Sequence, residues 1–527
     1  MNTESKRIEI DLTPEECMVP AKLRRAVARH IGVAEQELGE VRMVRRTLDC
    51  RRRYVVYHAI VDVSGEKDTN VISLPLTPRH SLTHPHRTVV IVGAGPAGLF
   101  AALRCLELGI KPVIVERGKP VEERKYDIAR LAREKVVNPN SNWCFGEGGA
   151  GTYSDGKLYT RSTKRGDVSA VLRTFVEHGA DPDIMLEAHA HIGTDRLSGI
   201  IANMRHTIES AGGEYHFNTL VNDLIVKDGR VRGVMTESGA IEGDAVVLAT
   251  GHSARDIYYM FQQHGWMLEA KPFALGVRVE HPQELINEIQ YHGKGYSKYL
   301  PPAAYSLTTQ VYSDNHVVTQ SHRQHGVFSF CMCPGGVIVP AATDSGQQVV
   351  NGMSNSRRNS PFANSGIAVT VSPTDVQDDD VFALLRFQQA VEQRMFHAGG
   401  DAINAPAQRL VDFLRRKPSS RLNKTGYMGE VVSAPLHELL PDFVVDSLIQ
   451  GFKDFNRKMR GFITEDASLL AVESRTSSPV RIPRDKETLQ HPQLAGLYPC
   501  GEGAGYAGGI VSSALDGIRC VEAIPQK

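Results

Sequence analysis

The sequence has no uninterrupted apolar run long enough to cross a bilayer; its longest apolar runs are strand-sized. The opening stretch MNTESKRIEIDL is polar and charged and contains no apolar signal core. An excess of charge is missing as well. Lys+Arg and Asp+Glu stand at 60 each, so net charge recruits neither nucleic acid nor an anionic membrane. Cysteine is scarce, at 8 in 527 residues, which argues against a disulfide framework and for reduced thiols in a cytoplasmic setting. No repeat of solenoid period is apparent. What is present is the composition of a soluble globular protein, 41% hydrophobic and 23% charged, in a chain too long for one ordinary domain.

Four segments are expected. Residues 1–80 form a small α+β unit, with strands at Arg7–Leu12 and Tyr54–Val63 and a helix over Ala21–Ile31. Its Arg42–Arg53 stretch holds six arginines and one aspartate and reads as a solvated hairpin face, while 78–87 reads as a linker. Residues 88–265 alternate strands and helices. A meander over Glu214–Thr236 precedes a parallel strand at Ala245–Ala249. Residues 270–460 mix strands with helices such as Asp380–Phe396 and form an inserted α+β substrate unit, and 461–527 returns to the α/β unit.

The strongest motif is the buried strand Val89–Val92 followed by Gly93-Ala94-Gly95-Pro96-Ala97-Gly98. A bare G-x-G-x-x-G means little. Here a helix follows, then a second strand, Pro112–Val115, that ends on Glu116, which is the context a Rossmann dinucleotide fold requires. Gly93 permits the turn, Gly95 lets backbone approach a pyrophosphate, and Gly98 lets helix and sheet pack. The helix N-terminus offers free N–H groups to phosphate, and Glu116 offers a carboxylate to ribose hydroxyls, disfavouring a 2′-phosphate despite Arg117.

Two later segments select among dinucleotides. Val246–Gly251 closes with Ala249-Thr250-Gly251, downstream of the strand that begins at Val221, and Leu497–Ile510 carries Gly501-Glu502 and Gly508-Gly509-Ile510. Both are similar to the secondary motifs of two-dinucleotide-binding-domain flavoproteins. With Phe145–Leu158, Cys331–Gly336 and Glu473–Arg481, they make the chain resemble the glutathione-reductase-2 class, and within it bacterial FAD-dependent dehydrogenase-like proteins. The resemblance implies a Rossmann-type FAD domain, with Glu502 holding the ribityl or phosphate; the wider class often has Gly-Asp where this chain has Gly501-Glu502. It also implies that the Gly146–Gly156 loop, through Gly149, Ala150, Gly151, Thr152 and Ser154, wraps the cofactor. An FAD-dependent oxidoreductase acting on a small molecule is therefore expected, with NAD(P)H open as a transient electron donor. A non-catalytic, RNA-linked flavoprotein docking through its N-terminal unit is the alternative.

Catalytic candidates are sparse. Cys331 and Cys333 form a C-x-C pair whose ring would be strained, so packing beside Pro334-Gly335-Gly336 is preferred to redox exchange. A metal shared with His322 and His325 fits no common zinc spacing, and none is expected. Arg475 and Arg481, flanking Thr476–Pro479, divide evenly between surface residues and binders of an anionic substrate.

Overall fold

The computed structural model describes residues 6–64, 82, 85–160, 166–293, 295–313, 323–376 and 378–525. Most of the expected 78–87 linker lies outside the described residues, as does His322. Alternating apolar residues make Lys6–Leu12 a strand whose Ile8, Ile10 and Leu12 are buried. It pairs antiparallel with Val56–Val63, which pairs in turn with Val41–Asp49. Two helices complete this unit. Thr13 and Glu16 form a capping box before Pro14–Met18, and Gly32, at φ 80°, ends Pro20–Ile31.

The α/β unit is built on a five-stranded parallel sheet in the order Leu497–Pro499, Ala245–Leu248, Thr88–Val92, Lys111–Val115, Glu214–His216. Its central strand is buried on both faces: Val89 and Ile91 join one apolar cluster, Val90 and Val92 another. Glu214–His216 therefore belongs to this sheet and not to the expected meander, which consists of Val221–Lys227, Arg230–Thr236 and Gly239–Glu242. The helices Pro96–Glu107 and Ile510–Glu522 cross closely, because a Cβ at Gly517 would lie 2.1 Å from the Ala97 carbonyl oxygen.

The third unit is a seven-stranded sheet, in the order Thr308–Ser313, Arg323–Cys333, Phe362–Val371, Phe273–Pro282, Ser468–Glu473, Ala405–Arg409, Val431–Ser433. Phe452 and Phe455 of the helix Asp442–Lys458 are buried against it. Ser468–Glu473 lies inside this sheet, so the expected boundary at 460 falls too early. The helix expected over Asp380–Phe396 spans Ala383–Ala398.

The N-terminal unit is stapled to the rest. Arg46 N–H donates to the Leu186 carbonyl (2.9 Å), Ala188 N–H returns a bond to the Arg46 carbonyl (3.2 Å), and the Arg46 guanidinium pairs with Asp183 and Glu187. The expectation of a solvated arginine face thus fails for Arg46, whose side chain is 14% exposed. Arg51 and Arg52 do reach solvent, but they pair with Asp49 and Asp11. Among the described residues no helix is long and apolar enough to cross a membrane.

Candidate functional site: a two-walled cleft

A cleft of about 1640 Å³ opens between the three units. One wall is made of glycine turns. Gly93 has φ 105°, and a Cβ there would meet the Ala249 oxygen at 2.5 Å; a Cβ on Gly98 would lie 1.9 Å from the Gly93 oxygen. These two glycines are obligatory for the turn itself. Gly95 differs: a Cβ would meet nothing nearer than Gly149 Cα at 3.8 Å, so its bareness leaves space open toward the cleft. Gly95 is the N-cap of Pro96–Glu107 without a side-chain cap, and Gly509 stands in the same relation to Ile510–Glu522. Two uncapped helix N-termini thus meet one cleft, each supplying positive dipole and unclaimed N–H groups. Asp516 shapes the second turn, its Oδ2 accepting from Gly501 N–H (2.9 Å) while Arg484 donates to both its oxygens.

Gly93, Gly95, Pro96, Ala97, Glu116, Arg117, Gly149, Ala150, Gly151, Ser154, Val221, Thr250, Gly251, Gly501, Glu502, Gly508, Gly509 and Ile510 line the cleft. Ala94, Gly98 and Thr152 are buried behind it. Thr152 donates to the Glu147 carbonyl (3.2 Å). Glu116 is less free than expected: its oxygens accept from the N–H groups of Ala94 (2.8 Å), Gly118 (2.8 Å) and Gly146 (3.0 Å). Its carboxylate therefore ties the glycine turn to the Gly146–Gly156 loop, with one lone-pair position left over. Arg117 is held by Asp256 (3.1 Å) and lies over the Phe145 ring.

Sequence reasoning missed Arg124. From the helix Val121–Glu134 its wholly buried guanidinium donates to the carbonyls of Asn142, Glu147 and Gly149, each at 2.8 Å. That cross-link fixes the glycine loop. An arginine on an amphipathic helix reads as solvated, so nothing in the sequence marked it. His252 was also missed, although it directly follows Ala249-Thr250-Gly251. It lines the cleft 3.7 Å from Glu502. Burial, then Arg475, Arg255 and Lys271, push its imidazole down to about 4. Burial pushes the Glu502 carboxyl up to about 7 against the pull of Lys271.

The other wall is made of side chains from all three units, among them Arg46, Arg51 and Tyr57, then Lys157 and His191, then Tyr291, Cys331 and Arg358. Cys331 sits at a bulge of its strand with φ 43° and is exposed on the cleft wall, not packed in the interior as expected for the pair. Cys333 is buried, and its Sγ donates to the Cys331 carbonyl (3.2 Å). That carbonyl also accepts from Arg278 (2.6 Å), which pairs with the buried Glu473. Arg475 lines the cleft and is engaged by Glu392 (3.1 Å), Thr343 (2.6 Å) and Gln347 (2.7 Å). Arg481 is not among the lining residues. It faces Glu269 (3.4 Å), with its side chain 39% exposed, so of the two readings weighed for it the surface one holds.

The FAD-dependent protein C-terminal domain-like family matches residues 272–476, the FAD binding domain family matches 88–124, and a domain of unknown function matches 4–64. An uncharacterized protein of Clostridium beijerinckii is 38% identical over 525 residues, covering 96% of each chain. The chain belongs to this family of FAD-dependent proteins. FAD is its cofactor, and the bare Gly95, the paired uncapped helix ends and the fixed glycine loop fit that dinucleotide. Among solved structures, the FAD complex of CtdE (13% identity, 82% of each chain, TM-score 0.29) and the flavin-dependent brominase Bmp2 (14%, 82% of this chain and 77% of that one, TM-score 0.34) are similar. At those scores neither bears on the reaction.

Proposed function

We propose that the protein is an FAD-dependent oxidoreductase, a dehydrogenase or reductase, that takes a small molecule beside its flavin in this cleft. The observation that carries this reading is the cleft's double construction. Its volume of about 1640 Å³ exceeds the ~300–1,000 Å³ usual for one ligand, and side chains of three units complete it opposite the glycine turns. Bound FAD supplies two-electron redox chemistry. The chain's own residues hold and insulate it: Glu116 and Arg124 fix the loop, the two helix ends offer N–H groups, and His252, neutral at physiological pH, faces Glu502, whose carboxyl changes charge near pH 7. Glu502 thus gives the cleft wall a carboxyl able to hold or release a proton near neutral pH. NAD(P)H as a visiting electron donor is consistent with this cleft. An RNA-docking role for the N-terminal unit has less support, since Arg46, Arg51 and Arg52 are already paired.

The test is anaerobic reduction of the purified yellow protein with NADH, NADPH and fractionated metabolites, following loss of flavin absorbance. Noncovalent FAD released by heat and reduction by at least one donor are expected. Released FMN, or flavin that no donor reduces, would overturn the proposal.

A further inference from the structure

Three segments remote in sequence meet on the side-chain wall. They are the loop at Asp155–Lys157, the start of the helix Thr194–Ser210, and the hairpin exit at Ser356–Arg358. They are locked together. Arg358 donates to both Asp155 oxygens (3.0 and 2.6 Å), Ser356 donates through N and Oγ to Asp195 (2.6 and 2.7 Å), and the backbones of Lys157 and His191 pair in an isolated antiparallel bridge.

These segments place Lys157, Arg196, Arg357 and Arg358 on the cleft surface against one lining acid, Asp155. Burial would raise the Asp155 carboxyl, but Lys157 and Arg358 hold it below its ordinary range, so its one negative charge is already shared. Asp195 accepts from Ser356 and stays charged beside Arg196, so two carboxylates face these four cations. The side chains of Arg196 and Arg357 are exposed and make no hydrogen bond or ion pair among the described residues. Elsewhere on the wall the cations are matched: Arg46 by Asp183 and Glu187, Arg51 by Asp49, Arg117 by Asp256, Arg475 by Glu392. The positive excess is therefore confined to this corner. Like charges crowded at the edge of a low-dielectric cleft are relieved by an anion, and free guanidinium forks suit a planar or tetrahedral oxyanion.

We infer that this corner binds the anionic group of the substrate, a carboxylate or a phosphate. Calling that ligand the substrate rests on the oxidoreductase reading; the binding itself does not.

The experiment is calorimetric titration of the FAD-loaded full chain with succinate and with inorganic phosphate, against sodium chloride at equal ionic strength. Saturable binding of at least one is expected. Succinate binding without phosphate binding assigns a carboxylate, and the reverse assigns a phosphate. Arg196→Gln with Arg357→Gln should weaken that binding about tenfold per guanidinium removed while FAD content and the visible flavin spectrum stay unchanged. No saturable binding, or equal affinity in the double variant, overturns the inference. Failure of the oxidoreductase reading would look different: a flavin that no donor reduces, with the anion site intact.

Discussion

Along the glycine wall of the cleft, ligand groups are offered by backbone: turns without Cβ atoms and two helix ends without caps. Along the opposite wall they are offered by arginine, lysine, histidine and tyrosine side chains drawn from three separate folding units. The first kind of wall must be spelled locally, because a turn at φ 105° followed five residues later by a 1.9 Å backbone approach admits glycine alone. The second kind can be assembled from residues hundreds of positions apart and needs no spacing at all. A cofactor wall of backbone is consequently rigid in sequence, while a substrate wall of side chains is free to diverge.

The contrast can be broken most forcefully inside the glycine motif. Gly98→Val drives a side chain into the Gly93 carbonyl and should cost about 3 kcal/mol of stability, read from the urea midpoint of the apoprotein. Gly95→Val should leave that midpoint nearly unchanged and yield colourless protein, because its side chain projects only into ligand space. Equal stability losses in the two variants would erase the distinction between a fold glycine and a cofactor glycine.

Glu116→Ala comes next. It strips the acceptor from three N–H groups, so it should destabilise even the cofactor-free chain by about 1–3 kcal/mol. An apoprotein as stable as wild type, with FAD affinity alone reduced, would return the carboxylate to a purely ribose-binding role.

Across the cleft, Arg46→Ala should cost about 1 kcal/mol or less, since Asp183 and Glu187 both reach solvent. It should leave FAD content untouched, measured by absorbance of the purified protein. Loss of flavin from this variant would mean that the two walls are not independent.

The smallest effect is expected at Cys331 and Cys333. With Cys331 facing the cleft and Cys333 buried, its thiol hydrogen-bonded to the Cys331 carbonyl and both cysteines free, replacement of both by Ser should leave anaerobic electron uptake at the flavin requirement, as in the wild type. Two further electrons taken up by the wild type and missing from the variant would make the pair redox-active.

Legibility from sequence followed the same division. The parallel sheet, the dinucleotide turn and the closing strand–turn–helix could be read because burial on both faces and obligatory glycines leave local signatures. Arg124 could not, since only the carbonyls it meets, 18 to 25 residues along the chain, distinguish it from a surface arginine. Ser468–Glu473 falls within the segment 461–527 expected to rejoin the α/β unit, and only its pairing with Phe273–Pro282 assigns the strand to the other sheet. Arg481 sits two residues beyond a proline in a short strand that turns its side chain toward Glu269, a direction spacing alone does not fix.

The closely crossed helices have a consequence for the order of events on the ribosome. Thr88–Val92 and its glycine turn are translated early, yet the edge strand of their sheet, Leu497–Pro499, and the second helix end arrive about 400 residues later. Until then the nascent chain holds half a cofactor cradle, with the Ala97 carbonyl awaiting Gly517. Flavin capture should thus be a late step, and ribosome-stalled chains ending before Leu497 should emerge without colour.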